Sequence, residues 1–307
     1  MNILVTGGAG FIGSHIVDAY LARGHQVSVL DNLSTGRREF VPAGIPLYQV
    51  DLRDAEAVNA VLAAVRPEIV NHHAAQINVV TSLRDPALDA QTNVLGSINL
   101  LQACVAYGVR KIIYASTGGA VYGNPDPADL PVGEDYPLYP ISPYGISKHT
   151  VEHYLFLTAA NYGLSYTTLR YSNVYGPRQN PHGESGVVAI FTDCLLRGEP
   201  CIIFGDGTQT RDFVYVGDVV AANVAALERG DNGVYNIGTG VETSVLEVVA
   251  ALEAAAGRPV AVEYAPPRVG EVYRICLDCS RAERELGWRA QVDIREGVRR
   301  TWASFAA

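Results

Sequence analysis

A tyrosine and a lysine four positions apart are the residues of this sequence best suited to proton transfer. Tyr144 and Lys148 stand in the run SPYGISK, residues 142–148, and residues four apart on a helix share one face. The reference pKa of tyrosine is about 10, too high for a base at neutral pH, but a nearby ammonium group favours the phenolate. The pair therefore indicates a site where Tyr144 exchanges a proton with a substrate hydroxyl.

Two hydroxyl side chains precede this pair and sharpen the interpretation. Ser116 and Thr117 follow a predicted strand over residues 111–115, and either hydroxyl could hydrogen-bond the reacting oxygen. The spacing YxxxK occurs often by chance. Its position one helix after a Ser-Thr pair at a strand end makes it specific.

The first 31 residues predict the cofactor. An apolar run of strand length (2–6) leads into GGAGFIG (7–13), then into a helical run (14–23) and a second strand (25–30) that ends in Asp31. Strand, glycine turn, helix, strand and acid form a dinucleotide-binding unit, with the phosphates at the positive end of the helix. Asp31 can bond the adenosine ribose hydroxyls and would repel the extra phosphate of NADP, so NAD is favoured.

Alternating strands and helices predict the fold class, an α/β protein with a doubly wound parallel sheet. Long helices are expected over 86–107 and 142–162, and a strand over 234–237 is expected to return to the main sheet. The regular alternation of strands and helices ends after Tyr171, which predicts that the following segments form a smaller, substrate-binding lobe. We expect an NAD-binding domain of residues 1–172 plus 212–238 and a lobe of residues 173–211 plus 239–307.

Composition narrows the class of protein. The 307 residues carry a net charge of −9 without a basic run, which argues against nucleic acid as a partner. Apolar stretches stay shorter than a membrane span, which needs roughly 18 residues. The N-terminus enters a strand at once, and five scattered cysteines suit a reducing compartment. We therefore expect a cytoplasmic protein that does not bind a membrane.

Three patterns could suggest a metal site, and none is expected to form one. His72 and His73 lack a third ligand at useful spacing, and Cys276-x-x-Cys279 lacks a second CxxC. The letters HTVEH, residues 149–153, match a metalloprotease motif. Residues 149–153 follow Lys148 directly on the same predicted helix, so we interpret their side chains as part of a solvated or interface face of that helix.

Longer motifs carry a resemblance that covers nearly the whole chain. The sequence resembles the extended short-chain dehydrogenase/reductase family and, within its NAD-dependent epimerases and dehydratases, is most like the UDP-glucose 4-epimerases. The matching motifs are TGGAGFIGSH (6–15), STGGAVYG (116–123), SPYGISK (142–148), LRYSNVYGPRQ (169–179) and GDGTQTRDFVYVGDV (205–219).

The resemblance implies a reaction and a set of site residues. Tyr144 would take the proton of the sugar 4-hydroxyl while hydride passes from C4 to a tightly held NAD, and return of hydride to the opposite face would give the C4 epimer. The catalytic residues would be Tyr144, Lys148 and either Thr117, which we favour, or Ser116. The cofactor-binding residues would be Gly7, Gly10, Phe11, Ile12, Gly13, Asp31, Asn32, Ser34, Gly36, Asp51, Leu52, His73, Ala74, Ala75, Gln76, Asn93, Ser116, Tyr144, Lys148 and Tyr171. The substrate-binding residues would be Thr117, Tyr144, Asn173, Val187, Val188, Arg211, Arg268 and Glu271.

One position departs from the family pattern. Gly118 stands where many relatives carry the catalytic Ser or Thr, so the hydroxyl must come from a neighbouring position. Sugar 4,6-dehydratases place an Asp-Glu pair after the catalytic Thr, where this chain has Gly118-Gly119, so simple epimerisation is favoured.

Several alternatives stay open at this stage. The substrate could be UDP-glucose/UDP-galactose, a UDP-uronate such as UDP-glucuronate, or a UDP-pentose. From another class, the chain could be a non-catalytic nucleotide sensor, although the intact Tyr/Lys pair argues against it. The resemblance also implies a homodimer in which the helices over 86–107 and 142–162 pair as a four-helix bundle.

Overall fold

The structure is a computed structural model that describes residues 1–182, 186–267 and 272–306. Its strands are β1 (Asn2–Thr6), β2 (Gln26–Leu30), β3 (Leu47–Tyr48), β4 (Ile69–His72), β5 (Lys111–Thr117), β6 (Ser165–Tyr171), β7 (Asn173–Tyr175), β8 (Cys201–Phe204), β9 (Thr210–Tyr215), β10 (Gly233–Ile237), β11 (Glu242–Ser244) and β12 (Val262–Ala265). Its α-helices are α1 (Phe11–Ala22), α2 (Ala55–Val65), α3 (Val79–Arg84), α4 (Pro86–Ala90), α5 (Gly96–Ala106), α6 (Gly118–Val121), α7 (Pro143–Tyr162), α8 (Val187–Arg197), α9 (Val216–Ala225), α10 (Val245–Ala256) and α11 (Ile294–Phe305).

A parallel sheet forms the centre of the molecule. Within the described residues its seven strands run in the order β10-β6-β5-β4-β1-β2-β3, and each neighbouring pair is parallel. The chain winds outward in both directions from β1, so a crevice opens between the carboxyl ends of β1 and β4, where ligands bind in such sheets. The predicted doubly wound fold is confirmed, and β10 returns to the main sheet as expected.

Helices cover both faces of the sheet, which explains why its strands are apolar on both sides. On one face, Ile16 and Tyr20 of α1 pack in a buried cluster with Val219 and Ala222 of α9. On the other face, side chains of α2, α5 and α7 form a second buried cluster with the sheet. Because these two layers fix α1 and α7 against the sheet, the glycine turn and the Tyr/Lys pair are both held at its carboxyl edge.

The smaller strands build the substrate lobe. β7, β9 and β11 form a three-stranded sheet, and β8 pairs with β12, while α8, α10 and α11 bury a separate apolar cluster with them. The predicted boundary between residues 211 and 212 falls inside β9 (Thr210–Tyr215), which pairs with strands on both flanking segments of the lobe. The two-part domain division stays a prediction.

The long helix predicted over 86–107 is interrupted. It consists of α4, a π-helical segment Gln91–Leu95, and α5. Wide turns of this kind occur often at functional sites, and this one carries Asn93. Within the described residues, no helix combines the length and apolar character that a bilayer crossing requires.

Candidate active site

The glycine turn after β1 leaves the positive end of α1 open. The helix begins at Phe11, and its N-cap residue, Gly10, has no side chain to cap it. Gly7 adopts a φ of +69°, and a Cβ there would lie 2.6 Å from the backbone nitrogen of Ala74. A Cβ on Gly13 would lie 2.1 Å from the carbonyl oxygen of Gly7. Only glycines fit these two positions, and the free N–H groups of the first turn suit a pyrophosphate.

Asp31 is held rigidly at the end of β2. Its side chain is buried, and its two oxygens accept hydrogen bonds from the backbone N–H groups of Ala9 (3.0 Å) and Leu33 (2.8 Å). A Cβ on Gly36 would lie 2.9 Å from the Asp31 carboxylate, so the loop can approach it only through a glycine. Each carboxylate oxygen keeps a further lone pair for a ribose hydroxyl. These residues fit the adenosine half of NAD.

Asp51, one of the predicted cofactor-binding residues, takes part in an ion pair that the sequence did not indicate. Arg53 donates to both oxygens of Asp51 at 2.9 Å, and Asn32 donates to the same carboxylate at 2.9 Å. The hydrogen bonds from Arg53 hold the pKa of Asp51 well below its usual range. Ser34 is exposed and donates its N–H to Asn32. The side chain of Leu52 is buried, and a Cβ on Gly96 would lie against it; its contact with the cofactor stays a prediction.

The end of β4 places two adjacent histidines in separate networks. Nε2 of His73 lies 3.0 Å from the hydroxyl of Tyr171, and the two rings stack. His72 contacts Oγ1 of Thr6 (2.7 Å) and Oγ of Ser97 (3.0 Å). Burial, with the charge of Lys148, lowers the pKa of His73 to about 3, so this ring is neutral.

Asn93 connects the loop that follows β4 to α7 through hydrogen bonds. Its amide nitrogen donates to the carbonyl of Gln76 (2.9 Å), to Asp89 (3.1 Å) and to Ser147 (3.1 Å), and its oxygen accepts from the N–H of Gln76 (2.8 Å). Both ends of the Asn93 amide have partners within the protein, which gives this residue a positioning role; its contact with the cofactor stays a prediction. The segment Ala74–Gln76 is thereby fixed beside the crevice.

Asp89 is a buried carboxylate near the reacting groups that sequence reasoning missed. Its Oδ1 accepts from Gln76 (2.8 Å) and Asn93, whereas its buried Oδ2 lacks a partner among the described residues. Its charge raises the pKa values of both Tyr144 and Lys148. The signal available in the sequence was weak, because an Asp within the first turn of a helix usually serves only the helix dipole.

The Tyr/Lys pair stands on the first two turns of α7. Ser142 caps the helix by accepting from the N–H of Gly145 (3.1 Å), and Pro143 occupies its first position. Lys148 is 4% exposed, its Nζ donates to the carbonyl of Ala115 (2.9 Å), and it lies 6.0 Å from the centre of the Tyr144 ring. The helix thus carries both groups to the carboxyl end of β5.

The pKa of Tyr144 differs from the prediction made from its spacing to Lys148. Burial raises the pKa of Tyr144, the charge of Asp89 adds to this rise, and a hydrogen bond with Thr117 opposes it. Burial also lowers the pKa of Lys148 to about 8. In the protein alone, desolvation of the phenol outweighs any help from Lys148, because the ammonium group is directed at the carbonyl of Ala115.

The two candidate hydroxyls, of Ser116 and Thr117, face different side chains. Ser116 is buried and donates to Oε1 of Glu152 at 2.6 Å, and Arg170 binds both oxygens of the same carboxylate (3.0 and 2.7 Å). The Thr117 hydroxyl lies close enough to the phenol of Tyr144 to oppose the rise in its pKa. The geometry therefore brings the Thr117 hydroxyl, and not the Ser116 hydroxyl, to the tyrosine.

The glycines after Thr117 have different surroundings. A Cβ on Gly118 would lie 2.5 Å from Cδ1 of Leu277, so Leu277 fills the space where many relatives carry a hydroxyl side chain. A Cβ on Gly119 would lie 3.5 Å from Oδ1 of Asn173 and 3.8 Å from Oγ1 of Thr117. Asn173 is therefore close to the reacting groups, as predicted for a substrate-binding residue.

Three further predicted substrate residues lie in the smaller lobe. Arg211 on β9 donates to the carbonyls of Thr210 (2.8 Å) and Tyr273 (3.1 Å). Val187 is half-buried at the start of α8, and Val188 is buried in the core of the lobe. Arg268 and Glu271 lie outside the described residues. A cavity of about 400 Å³ opens beside Tyr273, lined also by Phe204, Gly205, Asp206, Gln209, Ala265 and Pro267.

A larger cavity, of about 520 Å³, lies elsewhere in the lobe, and its lining contains none of the predicted site residues among those described. The described part of the chain brings together no group of three or more His, Cys, Asp or Glu side chains able to hold a metal.

The sheet, its switch point and the Tyr/Lys pair together define a dinucleotide-binding protein of the extended short-chain dehydrogenase/reductase class. The chain belongs to the NAD-dependent epimerase/dehydratase family, whose model matches residues 3–238. A UDP-glucose 4-epimerase of Mycolicibacterium smegmatis is 47% identical over 99% of this chain and 98% of its own length.

Two solved structures are very similar to this chain. The UDP-glucose 4-epimerase of Thermotoga maritima, determined with UDP-glucose, has a TM-score of 0.97 at 50% identity and covers 100% of this chain and 99% of its own. The UDP-glucose 4-epimerase of Thermus thermophilus, determined as a complex with NAD, has a TM-score of 0.96 at 49% identity and covers the same shares.

Proposed function

We propose that this protein is an NAD-dependent nucleotide-sugar 4-epimerase that interconverts UDP-glucose and UDP-galactose. The observation that carries this proposal is the convergence of Thr117, Tyr144 and Lys148 beside the dinucleotide crevice. Gly118 and Gly119 bring no acid or base to that site, so the chemistry available is proton exchange at one hydroxyl coupled to hydride transfer. The similar UDP-glucose 4-epimerases support UDP-glucose over the uronate and pentose alternatives.

Tyr144, Thr117 and Lys148 each have a distinct role at the sugar 4-hydroxyl. NAD, when bound, supplies the hydride acceptor and a positive charge that favours the phenolate of Tyr144. Tyr144 takes the hydroxyl proton, Thr117 hydrogen-bonds the reacting oxygen, and Lys148 keeps a positive charge near both. Once hydride has been restored to the opposite face of C4, return of the proton from Tyr144 gives the C4 epimer. The first turn of α1 would hold the pyrophosphate of the cofactor, and Asp31 would accept from its ribose.

The substrate residues are proposed from their placement in the lobe. Asn173 lies beside Thr117 near the sugar, and Arg211 lies beside the cavity at Tyr273. A guanidinium group suits diphosphate oxygens because it offers a planar fork of donors. Arg268 and Glu271 are assigned to the diphosphate and a ribose hydroxyl from the sequence pattern alone. A cytoplasmic location likewise stays a prediction.

Product analysis tests the proposed function directly. The purified protein is incubated with UDP-galactose, UDP-glucuronate and UDP-xylose in turn, first without added cofactor. We expect conversion of UDP-galactose to UDP-glucose with retained NAD. Faster conversion of UDP-glucuronate or UDP-xylose would replace the proposed substrate, and the absence of turnover even with added NAD would support the nucleotide-sensing alternative.

The pH dependence of the rate should report on Lys148. Burial lowers the pKa of Lys148 to about 8, so the lysine is charged below this pH and loses its charge above it. If the charged form is required, kcat/KM should fall as pH rises through about 8. The measurement is the pH profile of kcat/KM, with Lys148→Arg as the comparison, because arginine keeps its charge to beyond about pH 12. A fall of the same shape in the arginine variant would assign the titration to another group.

We also propose that the protein is a homodimer. Large apolar side chains are exposed on α3 and α7, including Leu83 (60% exposed), Ile146 (53%), Phe156 (64%) and Leu157 (50%). Exposed apolar surface on adjacent helices indicates a contact face, and a second copy of the same chain would cover it, with α7 and the helix over 86–107 of both copies forming a four-helix bundle. We call this surface the α3/α7 face.

The dimer proposal predicts a mass of twice 32.9 kDa for the wild-type chain in sedimentation equilibrium. Replacing Phe156 and Leu157 by Glu should give monomers, because the charges would be desolvated at the contact. Glu replacements of the exposed residues Ile202 and Tyr264, which lie in the lobe, serve as the matched control and should leave the dimer intact. A monomeric wild-type chain would contradict the proposal.

A further inference from the structure

We propose that His149 and His153 form a chelating site for one divalent transition-metal ion of the Co²⁺, Ni²⁺, Cu²⁺ and Zn²⁺ group. The two residues lie one turn apart on α7, and their Nε2 atoms approach to 3.2 Å. The ring centres are 4.6 Å apart. Two imidazoles that direct the same nitrogen toward one point have the arrangement of a bidentate ligand, and imidazole is a preferred donor for these metals.

The separation of the two nitrogens matches the needs of a metal. A histidine nitrogen lies about 2.0–2.1 Å from Zn²⁺, so two nitrogens on one tetrahedral ion lie roughly 3.3 Å apart. The observed 3.2 Å between the Nε2 atoms is close to that separation. An ion could therefore be bound with little movement of either ring.

Glu152 supplies an independent indication, because it orients one of the two rings. Its Oε2 lies 3.4 Å from Nδ1 of His149. Glu152 is itself fixed by Arg170 and Ser116. Histidines that bind metals commonly donate their other ring N–H to a carboxylate, which fixes the tautomer and leaves Nε2 as the metal ligand. His149 has that arrangement, with its Nε2 directed at His153.

The pair is accessible from outside the chain. His153 is exposed, and 26% of the His149 side chain is exposed. Two protein ligands leave positions for water or for ligands of a second copy, because the pair lies on the α3/α7 face between Ile146 and Phe156. In either case each chain must supply both histidines, so loss of either one should remove tight binding.

The same approach of the two rings also fits an N–H···N hydrogen bond, in which one nitrogen carries the proton. Such a bond would hold the rings together without any metal. The two interpretations differ in one measurable property, the affinity of the pair for an added ion.

A metal titration tests the proposal. The holoprotein, expressed without a polyhistidine tag and treated with a chelator, is titrated with Ni²⁺ by calorimetry. His149→Gln and His153→Gln should each weaken binding by roughly tenfold or more, since each removes half of the chelate. His182→Gln, which replaces an exposed histidine elsewhere, is the matched control and should bind like the wild type.

Two further measurements make the result decisive. The visible spectrum of added Co²⁺ should show nitrogen ligation without the thiolate charge-transfer band that a cysteine ligand would give. Circular dichroism and thermal unfolding should match for all four proteins, which excludes misfolding as the cause of weaker binding. Wild-type binding no tighter than that of either glutamine variant would overturn the proposal in favour of the hydrogen bond.

Discussion

Replacement of Tyr144 by Phe is expected to lower kcat by roughly 10²–10⁴-fold, the range typical of a lost general acid–base group. The phenol hydroxyl is the group placed to exchange a proton at the sugar, and the Thr117 hydroxyl lies beside it and opposes the rise in its pKa. The variant keeps the ring, so α7 and the contact with Lys148 should persist. KM and the retained NAD should change little, because binding depends on α1, Asp31 and the lobe.

The control for this prediction is on the same helix. Tyr162→Phe removes an equivalent hydroxyl from the exposed carboxyl end of α7, where the side chain is 69% exposed, and should leave kcat unchanged. Kinetics on UDP-galactose, together with the absorbance of bound cofactor, provide the measurement. If Tyr144→Phe turned over at the wild-type rate, the proton would have to pass through another group, and Asp89, whose buried Oδ2 lacks a partner within the described part of the chain, would be the candidate.

The parts of the site that could be predicted from sequence are those fixed by local backbone geometry. The turn of residues 7–13 passes so close to Ala74 and to its own carbonyls that a side chain would not fit at Gly7 or Gly13, which explains why these positions are glycine. Asp31 follows β2 directly, so its place at the strand end required no tertiary information. The alternation of strands and helices similarly implied the parallel sheet.

The parts that could not be predicted depend on contacts between distant segments. Asp89 acts on Tyr144 of a different helix, and Asn93 joins the π-helical segment Gln91–Leu95 to Ser147 of α7. The direction of the Lys148 ammonium group could not be predicted either. The spacing YxxxK places Tyr144 and Lys148 on one helical face, but it does not identify the carbonyl of Ala115 as the hydrogen-bond partner of Lys148. The departure at Gly118 also depends on a distant contact, because Leu277, more than 150 residues away in the sequence, occupies the space that a side chain at position 118 would need.

Removal of the Thr117 hydroxyl by Thr117→Val is the second change expected to have a large effect. Valine keeps the shape and the strand preference of threonine, so β5 should be preserved. The hydroxyl beside Tyr144 would be lost, and with it a donor at the oxygen on which charge develops. A loss of one such donor costs roughly 10²–10³-fold in kcat.

Ser116→Ala is the matched comparison, because it removes the neighbouring hydroxyl from the same strand end. Ser116 donates to Glu152 rather than to Tyr144, so we expect kcat to fall less than about tenfold. The free energy of unfolding should fall by about 1.5–3 kcal/mol, the usual contribution of a hydrogen bond to a charged group. Denaturant unfolding and steady-state kinetics on both variants separate the two roles. The reverse pattern, with kcat lost in Ser116→Ala and stability lost in Thr117→Val, would assign the reacting hydroxyl to Ser116 and require its rotation away from Glu152 during turnover.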